Sequence, residues 1–164
     1  MKALQIAACA LACAFAAPAQ GETDWENLLE GSKVSLSKAL AIGLEEAWEG
    51  TAFQAELEGG SGGAVYSIDI AQRHKSRNVI VSAKDGEVVE NVMEDEDHLD
   101  TAEACKVKLS DAIKTALKAR PGKAVKAQMT LKSGKSGVTV KIWADGKLTS
   151  VKIDGATGKV VPAE

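Results

Sequence analysis

Apolar residues recur along residues 33–161 first at three-and-four spacing and then at every second position, and this succession occurs twice. In the first pass Leu36, Ala39, Leu40, Gly43, Leu44, Ala47 and Trp48 fall on one helical stripe. Ser35 or Ser37 supplies a cap oxygen for the free amides of the first turn, and Gly50 ends the helix. Strand alternation follows. Phe53, Ala55 and Leu57 alternate with Gln54, Glu56 and Glu58, then Tyr66, Ile68 and Ile70 with Ser67 and Asp69. Gly59-Gly60-Ser61-Gly62-Gly63 reads as a flexible connection between the two. Val79 and Val81 mark a third strand, and Asp85-Gly86 a hairpin-type turn before Val88 and Val89.

The second pass is cleaner. Leu109, Ala112, Ile113, Ala116 and Leu117 form the stripe, and Pro121-Gly122 stops it. Val125, Ala127, Met129 and Leu131 alternate with Lys126, Gln128, Thr130 and Lys132, and Val138, Val140 and Ile142 with Thr139 and Lys141. Trp143 falls at a turn position, and Asp145-Gly146 turns the chain into a strand over Leu148 to Ile153. Both passes begin Lys-Val-x-Leu-Ser-x-Ala, at Lys33 and at Lys106, and end Gly-x-Val-Val, at Gly86 and at Gly158. From Gly50 and Gly122 onward they align at a constant offset of 72, with Tyr66 on Val138, Ile68 on Val140 and Ile70 on Ile142.

One-sided alternation beneath an amphipathic helix predicts an α+β fold. The expectation is two tandem units, residues 33–92 and 105–164, each one helix packed on a small antiparallel β-sheet. An acidic linker over 93–104 separates them. Units of roughly 60 residues are near the lower limit for domains without staples, so the two are expected to lean on each other.

The N-terminus changes the compartment rather than the fold. Met1-Lys2, an uncharged apolar run over Ala3 to Ala16 and the small-x-small Ala17-Pro18-Ala19 predict a secretory signal peptide over 1–19. The protein is then exported, to a periplasm or to the medium. A lipoprotein signal is the competing reading, since Cys9 and Cys13 each follow small residues, but Leu11 stands two rather than three residues before Cys13. Residues 20–32 form a leader in which Trp25, Leu28 and Leu29 suit one or two helical turns, or a flexible segment. The mature chain keeps one cysteine, Cys105, read as a partly buried apolar residue, with an intermolecular disulfide as the alternative.

Charge separates the two passes more than their cores do. Gln20 to Ala104 carries 6 basic and 19 acidic residues, a net of −13, and Cys105 to Glu164 carries 13 and 4, a net of +9. The split reaches matched solvent-facing positions: Asp69 aligns with Lys141, Gln54 with Lys126, Glu56 with Gln128 and Ile80 with Lys152. Three meanings compete: ordinary drift of a solvated surface, attraction between the halves within or between chains, and a basic sheet face (Lys126, Lys132, Lys141, Lys152) for an anionic partner. Export and the lack of an aromatic stacking platform argue against nucleic acid. An anionic envelope component or an acidic protein surface fits better.

Catalytic chemistry has little to work with. His74 and His98 are the two histidines, and neither stands in a His-Glu-x-x-His or another pairing with metal-ligand spacing. No Gly-x-Ser-x-Gly elbow occurs. The run Glu94, Asp95, Glu96, Asp97, His98, Asp100 lacks the pattern of an EF-hand loop and reads as a solvated linker before a weak divalent-ion site. The expectation is no enzyme and no cofactor.

The order Val107, Leu109, Ala112, Ile113, Ala116, Leu117, Pro121, Gly122, Lys123, Val125, Ala127, followed by Thr157, Gly158, Lys159, Val160, Val161, resembles a PepSY domain. The first pass departs from it, with Trp48 and Glu49 where Pro-Gly would stand. The resemblance implies an extracytoplasmic module of the kind found in propeptides of secreted thermolysin-like metallopeptidases and in small envelope proteins, associated with peptidase inhibition or regulation. It brings no catalytic residues, and this chain carries no peptidase of its own. The function expected is an exported, non-enzymatic binding module for a protein partner such as a secreted peptidase. The alternative is an envelope protein responsive to a small ligand or divalent ion through its acidic half.

Overall fold

The computed structural model describes residues 23–162, which form four helices and eight strands. The expected signal peptide over 1–19 lies outside the described residues. Helix α1 spans Trp25–Glu30, so the leader takes its helical reading. Helix α2, Leu36–Ala47, starts at Ser35, whose hydroxyl accepts from the Lys38 amide at 3.3 Å. It buries Leu36, Ala39, Leu40, Gly43 and Ala47. Trp48 leaves the predicted stripe: it takes φ 67° as the helix cap, which turns its side chain out until it is 92% exposed.

Strands β1 (Thr51–Gly60), β2 (Gly63–Gln72), β3 (Lys75–Ser82) and β4 (Val88–Glu94) follow. The glycines read as a flexible connection instead extend the ladder, with Gly59 opposite Ala64 and Gly60 opposite Gly63. After helix α3 (Leu99–Ala104), helix α4 (Leu109–Ala119) and strands β5 (Lys123–Lys132), β6 (Lys135–Ala144), β7 (Lys147–Asp154) and β8 (Val160–Val161) repeat the order. Trp143 lies within β6 opposite Lys123 and Leu148, not in a turn. The chain entering each of the two long helices is held the same way. The Lys33 and Val34 amides donate to Ala83 O, and the Lys106 and Val107 amides to Gly155 O.

Two separate small sheets do not form. All eight strands join one antiparallel sheet in the order β4-β3-β2-β1-β5-β6-β7-β8. The seam is three residue pairs long: Gln54 opposite Gln128, Ala55 opposite Ala127 and Glu56 opposite Lys126. The offset of 72 carries Ala55 onto Ala127, so this central pair marks a local two-fold. The physical reason is the edge: each half of this size would leave a bare row of backbone donors and acceptors along β1 or β5, and joining them pairs the middle of both rows.

Helices α2 and α4 cover one face, over Leu57, Tyr66, Ile68, Val79 and, in the second half, Val138, Val140, Ile142 and Val151. Burial of one such Ile contributes about 2–3 kcal/mol. Helix α1 closes one end of the seam, with Leu29 buried, and α3 closes the other, with Ala102 buried. The segment 93–104, expected as a solvated linker, is therefore partly built into the fold.

Tyr66 is buried under α2 and donates its hydroxyl to Val34 O at 2.8 Å. Burial pushes its phenol up to about 12. An unfolded tyrosine ionises near 10. The native state therefore keeps a proton that the unfolded chain releases, so stability is intact below pH 10 and falls as pH rises from about 10 to about 12. The expected loss is about 1–2 kcal/mol. Tyr66 is the one tyrosine of the chain, so alkaline absorbance titration reads it directly, and Tyr66→Phe removes this component of the alkaline loss.

Candidate functional site

Alternation along the strands puts Gln54, Glu56, Ser67, Asp69, Asn78, Lys126, Gln128, Thr139 and Lys141 on the face opposite α2 and α4. This polar face is where the charge split becomes geometry. Lys126 Nζ meets Glu56 Oε2 at 2.5 Å across the seam, with both side chains about a fifth exposed (19% and 21%). The other polar pair of the seam, Gln54 opposite Gln128, is neutral, so the divergence of the halves leaves one charged pair out of two related positions. Glu58 and Asp69 stand on the acidic side. Burial, then the neighbouring Glu56 and Asp69, push Glu58 above the usual carboxylate range. Burial also pushes Asp69 up, against hydrogen bonding from Asn78, whose amide nitrogen donates to Asp69 Oδ1 at 2.6 Å and to Ser67 Oγ at 2.8 Å.

The four lysines of the predicted basic face have different situations. Lys126 is half-buried and engaged with Glu56. Lys141 lies directly opposite it across β5–β6. Lys152 is exposed on β7 opposite Thr139. Lys132 is exposed at the end of β5, beside Glu94 and Glu96. Lys126 and Lys141 are thus close neighbours, while Lys132 and Lys152 stand apart at the end and the flank of the half.

Between the polar face and the chain running from β4 into α3 is a cleft of about 430 Å³. Gln54, Asp69, Gln128 and Thr130 form its floor, and Glu94, Glu96 and His98 its wall. The wall is tied down. Ser76 Oγ donates to Glu96 O at 2.9 Å, Lys75 pairs with Asp95 at 2.8 Å, and Asp97 accepts from the Leu99 amide at 3.0 Å. The His98 ring stacks on Phe53 with centroids 4.4 Å apart and meets Glu96 at 3.1 Å. A β-bulge between Ala52 and Gln54 releases Phe53 for this contact.

The cleft offers amides, hydroxyls and carboxylates for hydrogen bonding. Among the described residues, no group of three or more His, Cys, Asp and Glu is placed to hold a metal ion. Cys105 is buried, its thiol faces Gly137 O at 3.7 Å, and burial pushes its pKa up, which keeps it protonated and unreactive. His74 is exposed beside Asp97 at 3.5 Å. Sequence reasoning missed the Phe53–His98 stack and the exposure of Trp48. The first depends on a bulge and the second on a single backbone angle, and neither leaves a mark in hydrophobic spacing.

The matched family sits on this geometry. Residues 33–91 match the model of the PepSY domain, described as "Peptidase propeptide and YPEB domain". Over this segment the chain is similar to the PepSY domain. The PepSY span runs from the residue that clamps the start of α2 to Asn91 in β4, so it takes in α2, the first three strands and part of the fourth. It is the half with Trp48-Glu49 in place of Pro-Gly. Among solved structures, the chain is similar to a candidate lipoprotein of Clostridium difficile 630, with 18% identity over 81% of this chain and 93% of that chain and a TM-score of 0.47. No curated protein matches the sequence. Among the described residues, no helix is long and apolar enough to cross a membrane.

Proposed function

We propose that this protein is an exported, non-enzymatic binding module of the peptidase-propeptide type, built from a PepSY domain and a second PepSY-like unit over residues 105–164. The observation that carries the proposal is the PepSY match on a sheet whose two long helices cover one face, leaving the other polar and partly exposed. A secreted peptidase is the partner class that the similarity to the PepSY domain favours. Lys132, Lys141 and Lys152 provide cationic contacts for an acidic surface on that partner, or on an anionic envelope component. Lys126 is removed from the set by its pairing with Glu56.

The test is direct. Mature protein incubated with secreted metallopeptidases of the thermolysin type is expected to form an isolable complex and to reduce peptide cleavage. No complex and undiminished cleavage across such a panel would overturn the proposal.

Trp48 supplies a second prediction. A tryptophan 92% exposed at φ 67° gives the fold little and keeps a strained backbone. Exposed aromatics of this kind anchor protein interfaces. Trp48→Gly is expected to leave thermal stability within about 1 kcal/mol of the parent and to weaken partner capture at least tenfold. Unchanged capture would exclude Trp48 from the interface.

A further inference from the structure

The two halves differ at their outer edges. In the first, β4 pairs with β3 from Ser76 to Val81, through residues Glu94 back to Val88. In the second, β8 pairs with Lys152 and Ile153 alone, and Pro162 follows it immediately. Proline has no amide hydrogen to continue a ladder. Among the described residues, nothing pairs with the outer edge of β7 over Lys147–Val151. The matching stretch of β3 is covered by β4.

The parity of that open edge can be worked out. The Asp154 amide donates outward to Lys159 O. Backbone groups alternate in direction along an antiparallel strand. Lys152, Ser150 and Leu148 therefore also face outward, and β8 occupies Lys152. Ser150 presents its amide and carbonyl to an open groove of about 610 Å³ between the edge and the C-terminal end of α4, and Leu148 continues the same open edge beyond it. Its walls include Arg120, Val151, Lys152, Val161 and Pro162, and no carboxylate side chain among the described residues lines it.

We infer that the β7 edge is a strand-docking site that takes an extended acidic segment of a partner protein, antiparallel to β7 and in the place β4 has beside β3. This rests on the reading of the protein as a protein-binding module. The pattern to be expected in the partner is visible in this chain. β4 is Val88-Val89-Glu90-Asn91-Val92-Met93-Glu94, which mixes apolar residues with acids. On β7, alternation would place the acids of such a segment on the polar face with Lys152, and its other side chains on the helix face toward Val151, Ala119 and Arg120. Backbone pairing supplies affinity and the cationic rim selects for acids.

The test uses a fluorescent peptide with the sequence of Glu87–Glu94 and the full mature protein, followed by anisotropy. Saturable binding is expected. Two N-methylated versions of the peptide, each blocking one alternate set of amides, should behave differently: one set abolishes binding and the other is tolerated. Ser150→Pro removes an outward amide at an edge, where proline is compatible with a strand, and is expected to weaken binding at least tenfold. If that variant does not fold, Arg120→Glu with Lys152→Glu is expected to weaken binding at least tenfold on a folded protein.

No saturable binding, equal effects of the two methylation patterns, or binding untouched by the variants would overturn the inference. Concentration-dependent growth of the protein into chains in sedimentation, competed by the peptide, would assign the edge to a second copy and overturn the partner assignment. Peptide binding without peptidase capture leaves the edge site standing and defeats the propeptide-like proposal. Peptidase capture that survives Ser150→Pro, with no peptide binding, does the reverse.

Discussion

Glu56→Lys is expected to lower the unfolding free energy by about 2–3 kcal/mol, read from chemical denaturation at neutral pH. Removing one partner of a fully buried ion pair costs about 3–5 kcal/mol, and the value here is reduced because both side chains keep about a fifth of their surface exposed (19% and 21%). The new ammonium would face Lys126 across the seam, with Lys141 directly behind it on β6. Like charges directly opposite on a sheet are destabilising. The double exchange Glu56→Lys with Lys126→Glu is expected to recover nearly all of the loss. The exchanged ammonium on β1 would then lie near Glu58 and Asp69, and the exchanged carboxylate on β5 would lie opposite Lys141. Additive losses in the double variant would mean that the pair contributes nothing across the seam.

The second large effect is expected at two matched glycines. Gly50 takes φ +112°, and a Cβ there would lie 2.6 Å from Ala71 O and 2.7 Å from an Ile70 methyl. Gly122 takes φ +157°, with Ile142 Cγ2 at 2.6 Å and Trp143 O at 2.7 Å. In both cases part of the obstruction is backbone, which cannot rotate away. Gly50→Ala and Gly122→Ala are each expected to destabilise by about 3 kcal/mol, from positive-φ strain plus displacement of the adjoining strand. A loss below about 1 kcal/mol in thermal or urea unfolding would show that the helix-to-strand connection is more pliant than its packing indicates.

These two sites show what hydrophobic spacing carries and what it does not. The helices α2 and α4, the main strands and the offset of 72 follow from periods of 3.6 and 2, because those periods reflect burial beneath a helix and on a sheet face. Gly50 and Gly122 were legible as helix stops. Their role in letting the chain pass against β2 and β6 was not, because close approach depends on tertiary contact. The joining of β1 to β5 was equally hidden, since Ala55 and Ala127 look the same in an edge strand and in a central one. The charge differences between the halves were visible, but their partnership was not. Glu56 and Lys126 aligned with Gln128 and Gln54 in the repeat, and the antiparallel seam is what sets them opposite each other.

Of the predicted basic face, Lys132 and Lys152 are exposed, Lys141 is half-buried and Lys126 is paired with Glu56. The acidic stretch 93–104 holds a short helix because Ala102 and the Phe53–His98 stack pin it to the sheet. That anchoring relies on the β1 bulge, which shifts Phe53 out of simple alternation.

The two halves form one continuous sheet, and their charge difference is engaged partly at the seam and partly on the polar surface. Native-state amide hydrogen exchange across Gln54–Glu56 and Lys126–Gln128 tests this most directly. The amides that point across the seam are predicted to exchange as slowly as those in the centre of β2 and β6, and to open only with global unfolding. Fast exchange at the seam, with protection retained inside each half, would show two independent sheets and contradict the single-sheet architecture.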